Sequence, residues 1–171
     1  SKLSGHLKFS STFRDVESIT PGGTLEIEER LGERHRRLTI HADAYSNLTY
    51  LFYESGRPAG FGQVAKRWYA DQLEELIRET GVVSRERAPV LVIKNGVDGL
   101  LSEIDLIRRE RSKRFYYERL LDLHDLNEET LLAVLTRIRQ EFKADANLRI
   151  VLTQLVSEHS PSPTVLREAL T

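Results

Sequence analysis

Hydrophobic positions change period about one third of the way along the chain. From His6 to Glu54 they recur every second residue, the spacing of a half-buried strand. Leu7 and Phe9 alternate with polar neighbours, and a mixed run follows over Phe13 to Ile19. Leu25 and Ile27 then oppose Glu26 and Glu28. Leu38 and Ile40 face away from His35, Arg37, Thr39 and His41. Over Ser46 to Tyr53, Leu48, Tyr50 and Phe52 share one face while Leu51 and Tyr53 share the other. A strand apolar on both faces calls for cover on both, from the protein itself or from a partner. Thr20-Pro21-Gly22-Gly23 and Leu31-Gly32 read as turns. Connections this short favour an antiparallel meander.

After Ser55-Gly56-Arg57-Pro58, read as the close of the sheet, the period becomes helical. Val64, Trp68, Tyr69, Leu73, Leu76 and Ile77 recur at three- and four-residue steps, ending at Gly81 in a C′ position. Ser84 reads as the cap of a second helix, complicated by Pro89 and stopped at Asn95-Gly96. Further helices follow over Val97 to Ile107 and Lys113 to Leu123, and another after an Asn127 N-cap. One more starts at Asp145, and a last opens at Ser162-Pro163. Residues 114–121 align by apolar class with 149–156, an offset of 149 − 114 = 35. Helical-hairpin repeats have periods of about 34–47 residues.

The reading is therefore α+β: an N-terminal antiparallel β-meander packed on C-terminal helical hairpins, in the manner of HEAT or TPR arrays. Its parts are a sheet over 1–56, a hinge over 57–63 and helical hairpins over 64–171. Trp68 at the join argues for one folding unit.

With 171 residues, 40% apolar and 30% charged, the chain can bury a sizeable core. The net charge of −1 does not call for nucleic acid or an anionic membrane. There is no cysteine, which excludes disulfides, zinc–thiolate and iron–sulfur sites and thiol nucleophiles. No apolar run reaches the roughly 18 residues of a membrane span. The absence of methionine is the expectation for a trimmed fragment, so any membrane anchor would lie outside this sequence.

Candidate chemistry changes this picture little. His6, His35, His41, His124 and His159 form no metal-type pair. His35 and His41 share a strand face but stand roughly 20 Å apart. His124-Asp125 reads as helix-end capping rather than as a catalytic dyad, which would need a nucleophile beside it. Glu28-Glu29, Glu74-Glu75 and Glu128-Glu129 read as solvated surface. Gly56, Gly60 and Gly62 precede a helix without the spacing of a phosphate loop. The basic run from Arg108 to Arg114 adjoins Phe115, Tyr116 and Tyr117, and reads as a salt-bridged connector.

The features also resemble, over most of the chain, an uncharacterised bacterial domain. The matching residues are Thr20-Pro21-Gly22-Gly23, Leu25-x-Ile27-Glu28-Glu29, Leu48-Thr49-Tyr50, Gly56, Trp68, Arg78-Glu79-Thr80-Gly81 and Gly96-Val97-Asp98. That domain is similar to soluble portions of membrane-anchored proteins related to sensor-type metallopeptidases. The resemblance implies an extracytoplasmic sensing or binding role. It carries over no catalytic residue, since His-Glu-x-x-His is absent.

The function expected is a non-catalytic binding or sensor module acting by protein–protein contact or self-association, without cofactor or metal. Its candidate partner surface is Arg108, Arg109, Arg111 and Lys113, with Leu51 and Tyr53. The alternatives are an enzyme with a pocket between sheet and helices, and a nucleic-acid binder using residues 108–114.

Overall fold

Seven strands and five helices follow one another in a computed structural model that describes residues 1–123, 126–159, 161–164 and 167. The protein is α+β, with antiparallel strands first and helices after. The strands are β1 (Lys2–Ser4), β2 (Leu7–Phe9), β3 (Val16–Ile19), β4 (Thr24–Leu31), β5 (Arg34–Ala42), β6 (Leu48–Glu54) and β7 (Arg57–Ala59). The helices are α1 (Gln63–Thr80), α2 (Ser84–Asp105), α3 (Glu110–Leu121), α4 (Glu128–Glu141) and α5 (Asp145–His159). The chain divides into two compact units, Ser1–Ile77 and Arg78–Thr171, with the boundary inside α1. The His124–Asp125 pair lies outside the described residues, as does most of the helix expected after Ser162-Pro163.

In unit 1 the meander β4-β5-β6-β7 takes β1 against its β4 edge, while β2 and β3 form a separate two-stranded sheet. The period-two pattern sets the register. Leu38 stands between Ile27 and Phe52, and Ile40 between Leu25 and Tyr50. The strands thus gather Leu25, Ile27, Leu38, Ile40 and Phe52 on one buried face. Thr20-Pro21-Gly22-Gly23 closes through the Gly23 amide on the Thr20 carbonyl (2.8 Å). Gly22 takes φ 75°, which the third position of a type II turn requires.

Residues 57–59, expected in the hinge, instead form β7. Ser55 and Gly56 both adopt positive φ (51° and 79°), the backbone of a two-residue hairpin loop. Arg57, Pro58 and Ala59 therefore return along Glu54, Tyr53 and Phe52. Pro58 does not prevent this because β7 ends the strand order, and an edge strand tolerates a missing donor.

Helix α1 buries Ala65, Trp68, Tyr69, Leu73 and Ile77, the stripe its three- and four-residue spacing predicts. Trp68 packs on Phe52 with centroids 5.5 Å apart, and its Nε1 donates to Glu29 (2.9 Å). The opposite face of β6 carries Leu51, which is 47% exposed, and Tyr53, which lies under the Arg37 guanidinium at 4.8 Å.

In unit 2 the helices share one core that includes Leu100, Ile104, Tyr116, Leu120, Leu135, Ile138, Val151 and Leu155. Helix α1 ends as predicted at Gly81, φ 64°. A Cβ at Gly81 would come within 2.7 Å of the Phe115 ring, so both backbone and space demand glycine. Ser84 does not cap α2. Val83 holds the N-cap, and Ser84 is a buried first-turn residue whose amide reaches the Gly81 carbonyl (3.1 Å). Asn95-Gly96 stops the leading helix, as the sequence suggests, and the span α2 is two helices that meet at a kink there. Gly96 alone leaves helical geometry (φ 68°, ψ −171°), and the chain resumes the helix through Asp105.

Asn127 caps α4 as its sequence suggests, its side chain accepting the Thr130 amide at 2.8 Å. The 35-residue correspondence holds in space. Helices α3 and α5 begin at residues 110 and 145, an offset of 145 − 110 = 35, and they pack against one another. Tyr116 and Leu120 in the first match buried Val151 and Leu155 in the second.

Candidate functional site

The basic run that the sequence singles out becomes the approach to α3 and its first turns. Its cations have acidic or aromatic neighbours. Arg108 donates through its amide (2.9 Å) and Nε (3.3 Å) to Glu79, and Arg109 Nε stands 3.9 Å from the same carboxylate. Lys113 donates to Glu141 at 2.7 Å. Arg111 and Arg114 lie over Phe115, at 5.7 and 4.8 Å from its centroid, and Arg114 also faces Glu118 at 3.5 Å. The run is salt-bridged, as its reading as a connector expects. Its partners Glu79 and Glu141 lie some 30 residues away in sequence.

Leu51 and Tyr53 belong to unit 1 and share a sheet face with Thr39 and Arg37, their partners on β5. His35 lies on that face and meets Glu28 at 2.7 Å. The Arg30 and His35 bonds hold the Glu28 carboxyl below its usual range. His159 reaches the Leu121 carbonyl at 2.7 Å. Among the described residues no group of His, Asp and Glu could hold a metal ion.

Two arrangements that the sequence does not disclose stand out. The first is an apolar stretch in the leading half of α2. Residues 90–93 read Val-Leu-Val-Ile, yet Ile93 is 86% exposed and Val90 43%. Leu91 and Val92 are half-buried against the unit 2 core. Exposed Arg85, Glu86 and Lys94 flank the stretch.

The second is a half-open cleft of about 470 Å³ in unit 1, lined by Arg14, Asp15, Tyr50, Phe61, Lys66 and Tyr69. Asp15 sits at the end of the β2–β3 loop, which folds on itself through the Ser10 amide to the Asp15 carbonyl (2.9 Å). Phe13, nearly buried, turns that loop with φ 58°, a conformation rare and strained for an aromatic residue. Asp15 Oδ1 accepts the Val16 amide (2.8 Å) and the Tyr69 hydroxyl (3.1 Å). The Tyr69 oxygen in turn accepts the Val16 amide at 3.0 Å. Burial, then the Asp15 charge, push both Tyr69 and Tyr50 above the usual phenol range, so both hydroxyls stay protonated.

Tyr50 and Phe61 stack at 5.2 Å and 15°, and Tyr69 meets each edge-on. At the rim, Arg14 is held by Asp71 and Glu74, both at 2.8 Å. Lys66 is exposed, and its ammonium has no ion pair with any described residue.

No family model, curated protein or solved structure matches the chain.

Proposed function

We propose that the chain is a non-catalytic binding or sensor module that acts by protein–protein contact through the leading half of α2. The observation that carries this reading is the exposure of Ile93 and Val90, one helical turn apart, beside half-covered Leu91 and Val92. Single exposed apolar residues are ordinary, but a contiguous apolar stretch with a charged rim is the composition of an interface centre. The Gly96 kink bounds the stretch at its C-terminal end. The basic run gives less support to nucleic-acid binding, because its cations already have partners within unit 2.

A photo-cross-linking residue at position 93, with one at exposed Glu129 as control, tests this in cells. A discrete adduct at 93, absent at 129 and lost in Val90→Ser, is the expected result. Equal labelling at both positions defeats it. The resemblance to soluble portions of membrane-anchored, metallopeptidase-related proteins extends the reading to an extracytoplasmic bacterial sensor. Among the described residues no helix is long and apolar enough to cross a membrane. Reporter fusions that function only after export test the compartment.

A further inference from the structure

The cleft in unit 1 plays no part in that reading. We propose that it binds a small zwitterion of the amino-acid class, with the ligand's ammonium on Asp15, its apolar body on the Tyr50–Phe61 stack and its carboxylate on Lys66.

The floor asks for a donor. An ionised carboxylate offers about four lone-pair sites, and here the Val16 amide and the tyrosine hydroxyls do not fill them all. Tyr69 spends its proton on Asp15 and accepts from Val16, so it presents no donor to a ligand. A hydrogen-bonded carboxylate that opens to solvent and keeps spare acceptor capacity suits an ammonium. The walls agree with the floor. Stacked and edge-on rings of Tyr50, Phe61 and Tyr69 receive an apolar or aromatic body, and their faces favour a nearby cation.

The rim asks for an anion. Of the two cations lining the cleft, Arg14 is neutralised by Asp71 and Glu74, whereas Lys66 has no ion pair with any described residue. A ligand carrying both charges satisfies both ends, and the volume is that of a small-molecule site. The Phe13 backbone fits this purpose. A strained residue placed directly before Arg14 and Asp15 fixes the loop that supplies the floor.

The test is a nuclear magnetic resonance titration of the intact chain with L-phenylalanine, phenethylamine and 3-phenylpropionate. These probes carry both charges, the amine alone and the carboxylate alone. Phenylalanine should saturably shift the amides of residues 14–16 and 66, with each single-charge analogue weaker by about tenfold. Lys66→Gln changes an exposed side chain and leaves the fold intact. It should weaken phenylalanine by about tenfold and leave phenethylamine unchanged. The proposal is overturned by an absence of saturable shifts at those amides, by 3-phenylpropionate binding as tightly as phenylalanine, or by undiminished affinity in Lys66→Gln. None of these outcomes touches the α2 interface, which is tested separately at position 93.

Discussion

Each unit holds a hydrogen-bonded carboxylate, exposed in unit 1 and buried in unit 2, and the two are held by opposite means. In unit 2, Glu103 is 8% exposed and stands between two guanidiniums, Arg78 Nε at 3.0 Å and Arg87 Nη2 at 2.9 Å. Arg87 is itself buried, and the fully buried Leu100 and Ile104 flank Glu103 on α2. In unit 1, Asp15 is held by neutral donors, an amide and tyrosine hydroxyls, and the space beside it opens to solvent. A charge closed in by opposite charges serves the structure. A charge held by neutral dipoles beside an opening keeps acceptor capacity for something else.

The comparison breaks most visibly at Glu103. Removing one member of a buried pair leaves its partners charged and desolvated, at a cost of about 3–5 kcal/mol. Glu103→Ala should therefore lower the denaturation midpoint of unit 2 and abolish hydrogen-exchange protection at Leu100 and Ile104. A loss under about 1 kcal/mol would mean that the pair behaves as an exposed one and that the two units do not differ.

Tyr69→Phe asks the same question of unit 1 and should cost less, about 1–2 kcal/mol. The Val16 amide keeps Asp15 Oδ1 as an acceptor at 2.8 Å, and water entering the cleft can replace the lost hydroxyl. Denaturant unfolding of the two variants side by side decides the order. A loss from Tyr69→Phe equal to that from Glu103→Ala would show the Asp15 site to be as closed as the Glu103 site.

Much of the scaffold was legible because it rests on local chemistry. Periodicity marked the sheet and its buried face, Gly81 the end of α1, and Asn127 the start of α4. The 35-residue offset picked out helices that pair in space. Errors arose where a residue's meaning depended on its neighbours in space. Pro58 signals a stop in isolation and is harmless on an edge strand. The cleft was not legible at all. Asp15, Tyr50 and Tyr69 lie 35 and 19 residues apart in sequence, and no spacing rule joins a loop aspartate to a strand tyrosine and a helix tyrosine. The basic run reads as salt-bridged from its composition, but its partners Glu79 and Glu141 are remote in the sequence and no spacing rule names them.

The sharper contrast is between local and remote capping within unit 2. Asn127 caps its own helix, and Asn127→Ala should cost about 1 kcal/mol through the orphaned Thr130 amide. The loss should be independent of pH across the neutral and mildly acidic range, because the cap carries no charge. Thermal melts at two pH values check both statements.

Glu110 caps a helix that is not its own, and its contribution should be smaller and depend on pH. It opens α3, yet its carboxylate accepts the Lys143 (3.1 Å) and Ala144 (3.2 Å) amides just before α5. Those backbone bonds, chiefly the one from Lys143, hold its carboxyl below the ordinary value of 4.5. A depressed carboxyl stabilises fully above its unfolded value and loses that effect as pH falls through its folded one. The site is open to water, which keeps the contribution small. Glu110→Gln should thus melt slightly below the parent at neutral pH, and the gap should close as the pH drops below about 4.5. A gap that is constant with pH would assign Glu110 to packing alone. A gap that closes would make α3 and α5 not only equivalent in sequence but joined through the first residue of one and the amides that precede the other.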